Sequence, residues 1–516
     1  MKISVIDIGS NTIKLVNYDI TRDNSFAAYQ QESSKVRLGE SLVHSQNLSE
    51  HSMLKAIDVL LLYRDIIKLE SVRDVICIGT SALREAKNGE YFLEQVHKKT
   101  GFKVKILSGV EEAYCSYLGA FMSTCFPDAL YFDLGGGSLE LVYTENFKIK
   151  RADSLPLGAL RLSEMYARKD GSFSKKDVES MIERIEEILP NKKTYGIGID
   201  TMLVGSGGTL RAIARYNQQS IGYPFEKIHG YRLTFNSIES IAKKLSPMKP
   251  SEISDLHAMD STRAETVAAG TSVISTIMNQ YNFSEITVSA FGLREGILAS
   301  YLHNPDAFEN RTNIQDLELQ IKQLVTSRCR NENPYFGLEN IMNYMISNGF
   351  LKEREAQILS YALDTLTKLS PTDRISNQFY LIMDEVYPHL SHREQLVLAL
   401  SIAYSKKTRV AESLFYKYSS LLKTQNLKSI QKIGTLLKLG SLVMKTKSQV
   451  GIRESERNRV VIDIISNQKS FPKLLFQSII QKVGDIFNLA IQYNLVNNPN
   501  KPKVFGDTML TIDSKL

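Results

Sequence analysis

The chain has no tryptophan and only four cysteines in 516 residues, and no uninterrupted apolar run nears the ~20 residues that a membrane helix requires. Cys77, Cys115, Cys125 and Cys329 are scattered through apolar surroundings with no CxxC pair. That excludes a disulfide framework and a zinc ribbon, and reads as buried thiols in a reducing compartment. No Gly-x-x-x-x-Gly-Lys-Ser/Thr run occurs either, so a Walker-type phosphate loop is absent. Without tryptophan and without a recognisable RNA- or DNA-binding motif, nucleic acid is not an expected partner. The opening Met1-Lys2-Ile3-Ser4-Val5-Ile6-Asp7 sets a carboxylate inside the one candidate apolar leader. A secretory signal peptide is therefore not expected, and the expected location is the cytoplasm, away from membranes.

What is present is ordinary globular material, 43% hydrophobic and 23% charged. The length exceeds what one hydrophobic core supports, which suggests roughly three domains. The net charge of +7 is unevenly spread: residues 1–310 carry 35 Lys and Arg against 38 Asp and Glu, residues 311–516 carry 28 against 18. Such a basic half can steer a polyanion or simply solubilise a face.

Apolar, β-branched runs at Ile3–Ile8 and Ile13–Tyr18 flank Gly9-Ser10-Asn11-Thr12 and predict a hairpin. Helical spacing follows over Ser49–Leu69, then a strand at Val72–Ile78 running into the turn Gly79-Thr80-Ser81-Ala82-Leu83-Arg84. After a strand at Val104–Leu107, Ser108-Gly109-Val110-Glu111-Glu112 carries the early acidic residues that suit a helix N-terminus. At Leu130–Asp133 the strand, glycine turn, strand pattern returns, with Asp133 placed 126 residues after Asp7. This internal repeat predicts two related α/β lobes, 1–125 and 126–303. A third turn, Gly205-Ser206-Gly207-Gly208-Thr209, belongs to the second lobe. Beyond residue 310 long helical patterns take over, as at Glu353–Leu369, Arg393–Tyr404 and Leu427–Lys445. They predict an all-α domain over 311–496, after a linker at Asn304-Pro305-Asp306 and Asn310–Asn313 and before a polar tail at 497–516.

Glycine turns let backbone N–H groups converge on an anion because no Cβ obstructs the approach. Gly9, Ser10, Asn11 and Thr12, Gly135, Gly136, Gly137 and Ser138, and Gly207, Gly208 and Thr209 are therefore the candidate phosphate-binding residues. An Asp beside such a cradle repels a phosphate unless a cation lies between them, so Asp7, Asp133 and Glu140 suggest a Mg²⁺ site. Hydrolysis needs a group that orients and deprotonates water. Glu112 and Glu111 are both available for it, chemically alike in sequence. Arg84 offers a planar fork to phosphate oxygens.

These blocks, Asp7–Thr12, Gly79–Arg84, Ser108–Ala113, Asp133–Leu141 and Gly205–Thr209, resemble in order and spacing the signatures of the Ppx/GppA family of exopolyphosphatases and guanosine pentaphosphate phosphohydrolases. Weaker family-like stretches at Ser154–Leu162 and Ser289–Gly296 carry the likeness to about residue 303. The resemblance implies an α/β, actin-like (ribonuclease H-like) two-lobed phosphotransferase fold that removes terminal orthophosphate from inorganic polyphosphate or guanosine pentaphosphate. It assigns Glu112 as general base, Arg84 as phosphate-binding arginine, and Asp133 and Glu140 as metal- and water-positioning carboxylates. Lys14 departs from the family's frequent Arg, and Leu139 from a common Thr.

Longer family members carry a helical domain resembling HD phosphohydrolases. Here Ala403-Tyr404 stands where the His-Asp pair is expected, no His-Asp dipeptide exists in the chain, and only His389 and His392 follow residue 310. The resemblance is thus to a degenerate HD domain without its own metal site, its basic residues offering a hold for a long phosphate polymer. Polyphosphate is the first substrate choice and guanosine pentaphosphate the second, and a homodimer is compatible with the sequence. A sugar or acetate kinase on the same fold, or a sensor that binds polyphosphate or nucleotide without turnover, are the competing readings.

Overall fold

The near-continuous apolar run Lys2–Ile8 is that of a central strand covered on both faces, and it forms β1. It pairs antiparallel with β2 (Thr12–Ile20), with Asp7 opposite Lys14. The other edge of β2 takes β3 (Phe26–Lys35), whose mostly polar sequence suits a partly exposed edge strand. On the far side of β1, helical crossovers bring in β4 (Asp74–Gly79) and then β5 (Val104–Ile106), both parallel, giving the order β3-β2-β1-β4-β5. The computed structural model describes residues 1–22, 24–40, 42–305, 308, 314–329, 337–370, 372–387, 389–456, 459–466 and 471–497. They belong to two compact units, 1–330 and 331–516.

The second sheet is built from β6 (Ala129–Leu134), β7 (Leu139–Glu145), β8 (Lys148–Leu155), β9 (Met202–Ser206), β10 (Arg232–Thr234) and β11 (Glu285–Val288). Its order is β10-β11-β9-β6-β7-β8. Leaving out β10, the run β8-β7-β6-β9-β11 repeats β3-β2-β1-β4-β5, with the same parallel and antiparallel senses. The repeat that two Asp-bearing turns announced in the sequence is thus a repeat of topology, an actin-like pair of lobes.

The pleat decides what each strand shows to the other lobe, because alternate side chains leave opposite faces. In β1, Ile3 and Val5 enter a core shared between the sheets, while Ile6 and Ile8 enter the first lobe's outer core. Ala129 and Tyr131 of β6 join the shared core, and Leu130, Phe132 and Leu134 the second lobe's own. By the same parity Asp7 and Asp133 look inward, as do Lys14 below Val16 and Tyr18, and Glu140 below Val142. Four charged side chains thereby meet where the apolar run of each strand ends.

The shared core is held by helices Gly109–Thr124 and Leu293–His303, the last helix of each repeat, packed against each other. They touch backbone to backbone. A Cβ built on Gly296 falls 1.8 Å from the Cys115 carbonyl oxygen, and one on Gly119 falls 2.0 Å from the Gly292 carbonyl oxygen. No residue larger than glycine fits at either position without moving a helix.

Two expectations are corrected. Helix Ile314–Cys329 does not belong to the C-terminal domain: Leu317, Ile321 and Val325 complete the shared core of the first unit, so the division falls near residue 330 and not between 303 and 311. The expected linker lies largely outside the described residues, as does the tail beyond Asn497. Residues 331–516 are also not all helical. After six described helices, His392–Lys406 and Thr424–Thr446 among them, β12 (Gln449–Glu456), β13 (Arg459–Ser466) and β14 (Ala490–Asn497) form a three-stranded sheet, antiparallel then parallel. The β-branched run Val460-Val461-Ile462 carried that signal, but a short apolar run does not by itself distinguish strand from buried helix. His392 opens its helix after the N-cap Ser391 and is buried, with His389 three residues before it.

Gly296→Ala is expected to lower the unfolding free energy of the first unit by ~2 kcal/mol or more, the upper range for overpacking a close contact. Urea unfolding followed by circular dichroism measures it, with Gly198→Ala, whose Cβ meets only Thr201 Oγ1 at 3.7 Å, as the uncrowded control.

Candidate active site

The two hairpin turns close in the same way. Gly9 N–H donates to the Thr12 carbonyl at 3.1 Å, and Gly135 N–H to the Ser138 carbonyl at 3.0 Å. They face each other across a cleft lined by Asp7, Gly9–Thr12 and Lys14 from the first lobe and by Asp133–Ser138 and Glu140 from the second. Gly137 has no room for a side chain, since a Cβ there falls 2.4 Å from Ser81 Oγ and 2.6 Å from Ser10 Oγ. Asn11 is 3% exposed and neither atom of its side-chain amide has a protein partner. Its backbone carbonyl is taken by the N–H groups of Val36 and Arg37, so the loop is fixed while the amide remains unsatisfied toward the cleft. Buried amides are ordinarily hydrogen-bonded, so this one marks the place of a ligand.

Helix Gly109–Thr124 settles which glutamate faces the cleft. Ser108 is its N-cap, and the Ser108 N–H donates to Glu111 Oε2 at 2.9 Å in a capping box that occupies Glu111 at the helix start. Glu112, one residue on, points into the cleft, 6% exposed, and receives Arg84 Nη1 at 3.0 Å on Oε2. The same Nη1 donates to the Leu107 carbonyl at 2.8 Å. Arg84 therefore stands behind Glu112, outside the cleft lining, and holds it. Burial pushes the Glu112 carboxyl up to about 7, against the pull of Arg84 and helped by the charges of Asp7 and Asp133. Burial likewise raises Asp7, and raises Glu140 well above the usual range with the help of Glu112 and Asp133. Glu140 accepts the Ser154 hydroxyl at 2.9 Å and stands directly opposite Asp133 on the neighbouring strand. Like charges so placed repel, and a hard cation relieves them. Among the described residues no three Asp, Glu, His or Cys side chains form a metal cage by themselves. The cleft offers the one or two carboxylates that Mg²⁺ takes when phosphate oxygens and water complete its shell.

The other lining residues escaped the sequence reading. Thr80, Ser81 and Ser206 add hydroxyls, and Arg211, Arg263 and Arg294 join Lys14 as cations. Lys14 is held well below the usual lysine range by burial and by these three arginines, and burial lowers Arg211 to about 10. Such crowding of positive charge calls for an anion. Strand parity would have found Lys14, and Arg211 follows the third glycine turn by one helical turn. Arg263 has no local signal, arriving at the end of the 3₁₀ turn Ser261–Arg263 before helix Val267–Tyr281. Thr209 is corrected: it is 1% exposed and packs against Gly270, behind the turn whose Gly207 and Gly208 do line the cleft.

The model of the Ppx/GppA phosphatase family matches residues 19–305. Among curated proteins the chain is 29% identical over 301 residues to a bifunctional 3-dehydroquinate synthase/phosphatase of Fusobacterium nucleatum, covering 55% of this chain and 44% of that one. It is 26% identical to exopolyphosphatase 1 of Mycobacterium leprae, covering 58% and 88%. It is 27% identical to a guanosine-5'-triphosphate,3'-diphosphate pyrophosphatase of Aliivibrio fischeri, covering 57% and 58%. The match thus spans less than two thirds of two of these three relatives. A crystal structure of an exopolyphosphatase from Cytophaga hutchinsonii superposes with a TM-score of 0.55 at 27% identity, over 58% of this chain and 98% of that one.

The raised carboxyl has a consequence for stability. With Glu112 at about 7 in the folded protein and an ordinary value of 4.5, the folded state holds a proton that the unfolded chain releases between those values. Its contribution is whole below about pH 4.5 and is lost as pH rises to about 7. In metal-free protein the stability of wild type relative to Glu112→Gln should fall over that window by on the order of 1–3 kcal/mol, as read from denaturant midpoints at each pH.

Proposed function

The chain belongs to the Ppx/GppA phosphatase family, and we propose that it is an exophosphatase that hydrolyses the terminal phosphoanhydride bond of inorganic polyphosphate. The observation that carries this reading is Glu112: a buried carboxylate held by Arg84 at 3.0 Å, poised at about 7, facing two opposed phosphate loops. A kinase of this architecture needs the loops but does not need a base for water.

The terminal phosphate lies between the turns Gly9–Thr12 and Gly135–Ser138, where backbone N–H groups, the Ser10 and Ser138 hydroxyls and the Asn11 amide donate to its oxygens. Glu112 accepts a proton from a water in line with the bridging oxygen. The water oxygen forms its bond to phosphorus as the bond to the bridging oxygen breaks. The negative charge that develops on the departing chain is met by Lys14, Arg211, Arg263 and Arg294. Asp133 and Glu140, with Asp7 from the other hairpin, would hold Mg²⁺, which when bound supplies positive charge against the phosphate oxygens.

Guanosine pentaphosphate is the second reading, supported by the relative named for that activity. Polyphosphate stands first because residues 311–516 carry 28 basic against 18 acidic residues, a balance that favours a long polyanion. A sensor without turnover has less support, since every carboxylate the chemistry requires is in the cleft.

Orthophosphate release from long polyphosphate and from guanosine pentaphosphate, measured side by side with Mg²⁺ and with EDTA, tests the reading. Glu112→Gln should lower turnover by about 10²- to 10⁴-fold, the usual span for loss of a general base, and EDTA should abolish it. Wild-type turnover in the variant would remove Glu112 from its role. No release by wild type from either substrate would overturn the phosphatase reading itself.

A further inference from the structure

The two lobes meet in two unlike ways. Around the crossing helices the contacts are buried: Tyr18 of β2 donates its hydroxyl to Glu295 Oε1 at 2.7 Å, and Glu295 Oε2 accepts the Gly292 N–H at 2.9 Å. Elsewhere the cleft is bridged by partly exposed ion pairs. Arg161, on helix Ala159–Tyr166 of the second lobe, gives Nη2 to Glu85 Oε2 of the first at 2.5 Å and Nε to the Gly137 carbonyl at 2.9 Å. Lys35 and Arg37 of the first lobe both reach Glu265 of the second, at 3.0 Å and 2.5 Å.

The pair at Glu85 has a connection that the pair at Glu265 lacks. Glu85 ends the five-residue helix Ser81–Glu85, and its Oε1 accepts the Ser81 hydroxyl at 2.7 Å. Its chain neighbour Arg84 is the residue that holds Glu112. Consecutive positions on one helical turn therefore hold, on one side, the base and, on the other, the arginine that grips the opposite phosphate loop at Gly137. One turn of helix moves as a body, so the two grips shift together.

We propose that Glu85 and Arg161 form a clasp that couples closure of the two lobes to the placing of Glu112. With the clasp closed, Arg84 and Gly137 stand at a fixed separation and the base faces the phosphate loop. When it parts, Arg84 withdraws with the first lobe while Gly137 stays with the second, as does Glu112, whose helix packs on β6, β7 and β8, so the base loses the arginine that holds it. The side chains of Arg161 and Glu85 are 17% and 40% exposed, and ion pairs open to water are weak enough to break in each cycle, as release of orthophosphate requires. Both are positioning residues; neither lines the phosphate cradle itself.

The coupling rests on the phosphatase reading, whereas the clasp itself is tested without turnover. Nitroxide labels on Glu90→Cys in the first lobe and Lys175→Cys in the second, both exposed sites, in a Cys329→Ser background, report the distance between lobes by electron–electron resonance. Glu85→Gln and Arg161→Gln should each lengthen and broaden that distance; an unchanged distribution would overturn the clasp. In the kinetic arm each variant should lower kcat about tenfold with KM within about threefold, and the double variant should be no worse than the poorer single one, as residues acting as a unit behave. Glu265→Gln breaks the other bridge and should keep kcat within about twofold of wild type. Additive losses, or an equal loss in Glu265→Gln, would refute the coupling to Glu112. If wild type releases no phosphate, the phosphatase reading fails and the distance measurement alone decides the clasp.

Discussion

Two helices in backbone contact fix the geometry of residues 1–330. Gly119 against the Gly292 carbonyl and Gly296 against the Cys115 carbonyl bring the last helix of each repeat closer than side chains permit. Each helix follows the last parallel strand of its sheet, so their contact sets the inward faces of the two sheets against one another. Everything in the cleft depends on that distance: the donors of one hairpin can meet the same anion as the donors of the other only if the lobes are this close.

The cleft also concentrates charge that water would otherwise separate. Five carboxylates, Glu295 among them, and four cations line one small space, and most of them are held away from their ordinary ionisation by burial. Desolvating so many groups is costly, and the cost is borne by a core that buries both faces of two sheets. The arrangement suits a ligand that brings negative oxygens to the cations, the electrostatic form that phosphoryl-transfer sites take.

Much of this was legible in the sequence, and the parts that were not have particular causes. The hairpins were readable because apolar, β-branched runs flank each glycine turn, and because Asp7 and Asp133 repeat. Glu111 and Glu112 could not be told apart from chemistry alone; what separates them is the third helical position, which the N-cap Ser108 claims for Glu111. Thr209 looked like a phosphate ligand because it follows two glycines, but the turn exposes its glycines and buries the threonine against Gly270. Arg263 belongs to the cleft only because helix Val267–Tyr281 brings the 3₁₀ turn before it back to the third glycine turn, a long-range contact with no trace in local pattern. In residues 331–516 the long apolar helices were clear, whereas the charged strand Gln449–Glu456 gave no period-two signal and its partner's apolar run was ambiguous.

The duplication is not a true symmetry, and beside the extra strand β10 one difference lies at a register position in the cleft. Opposite Asp7 stands Lys14, and opposite Asp133, at the equivalent place in the second sheet, stands Glu140. Had both lobes kept the same residue, the two ends of the cleft would be electrostatically interchangeable. With a cation in one copy and an anion in the other, the cleft acquires a polarity that the duplicated fold alone does not give it.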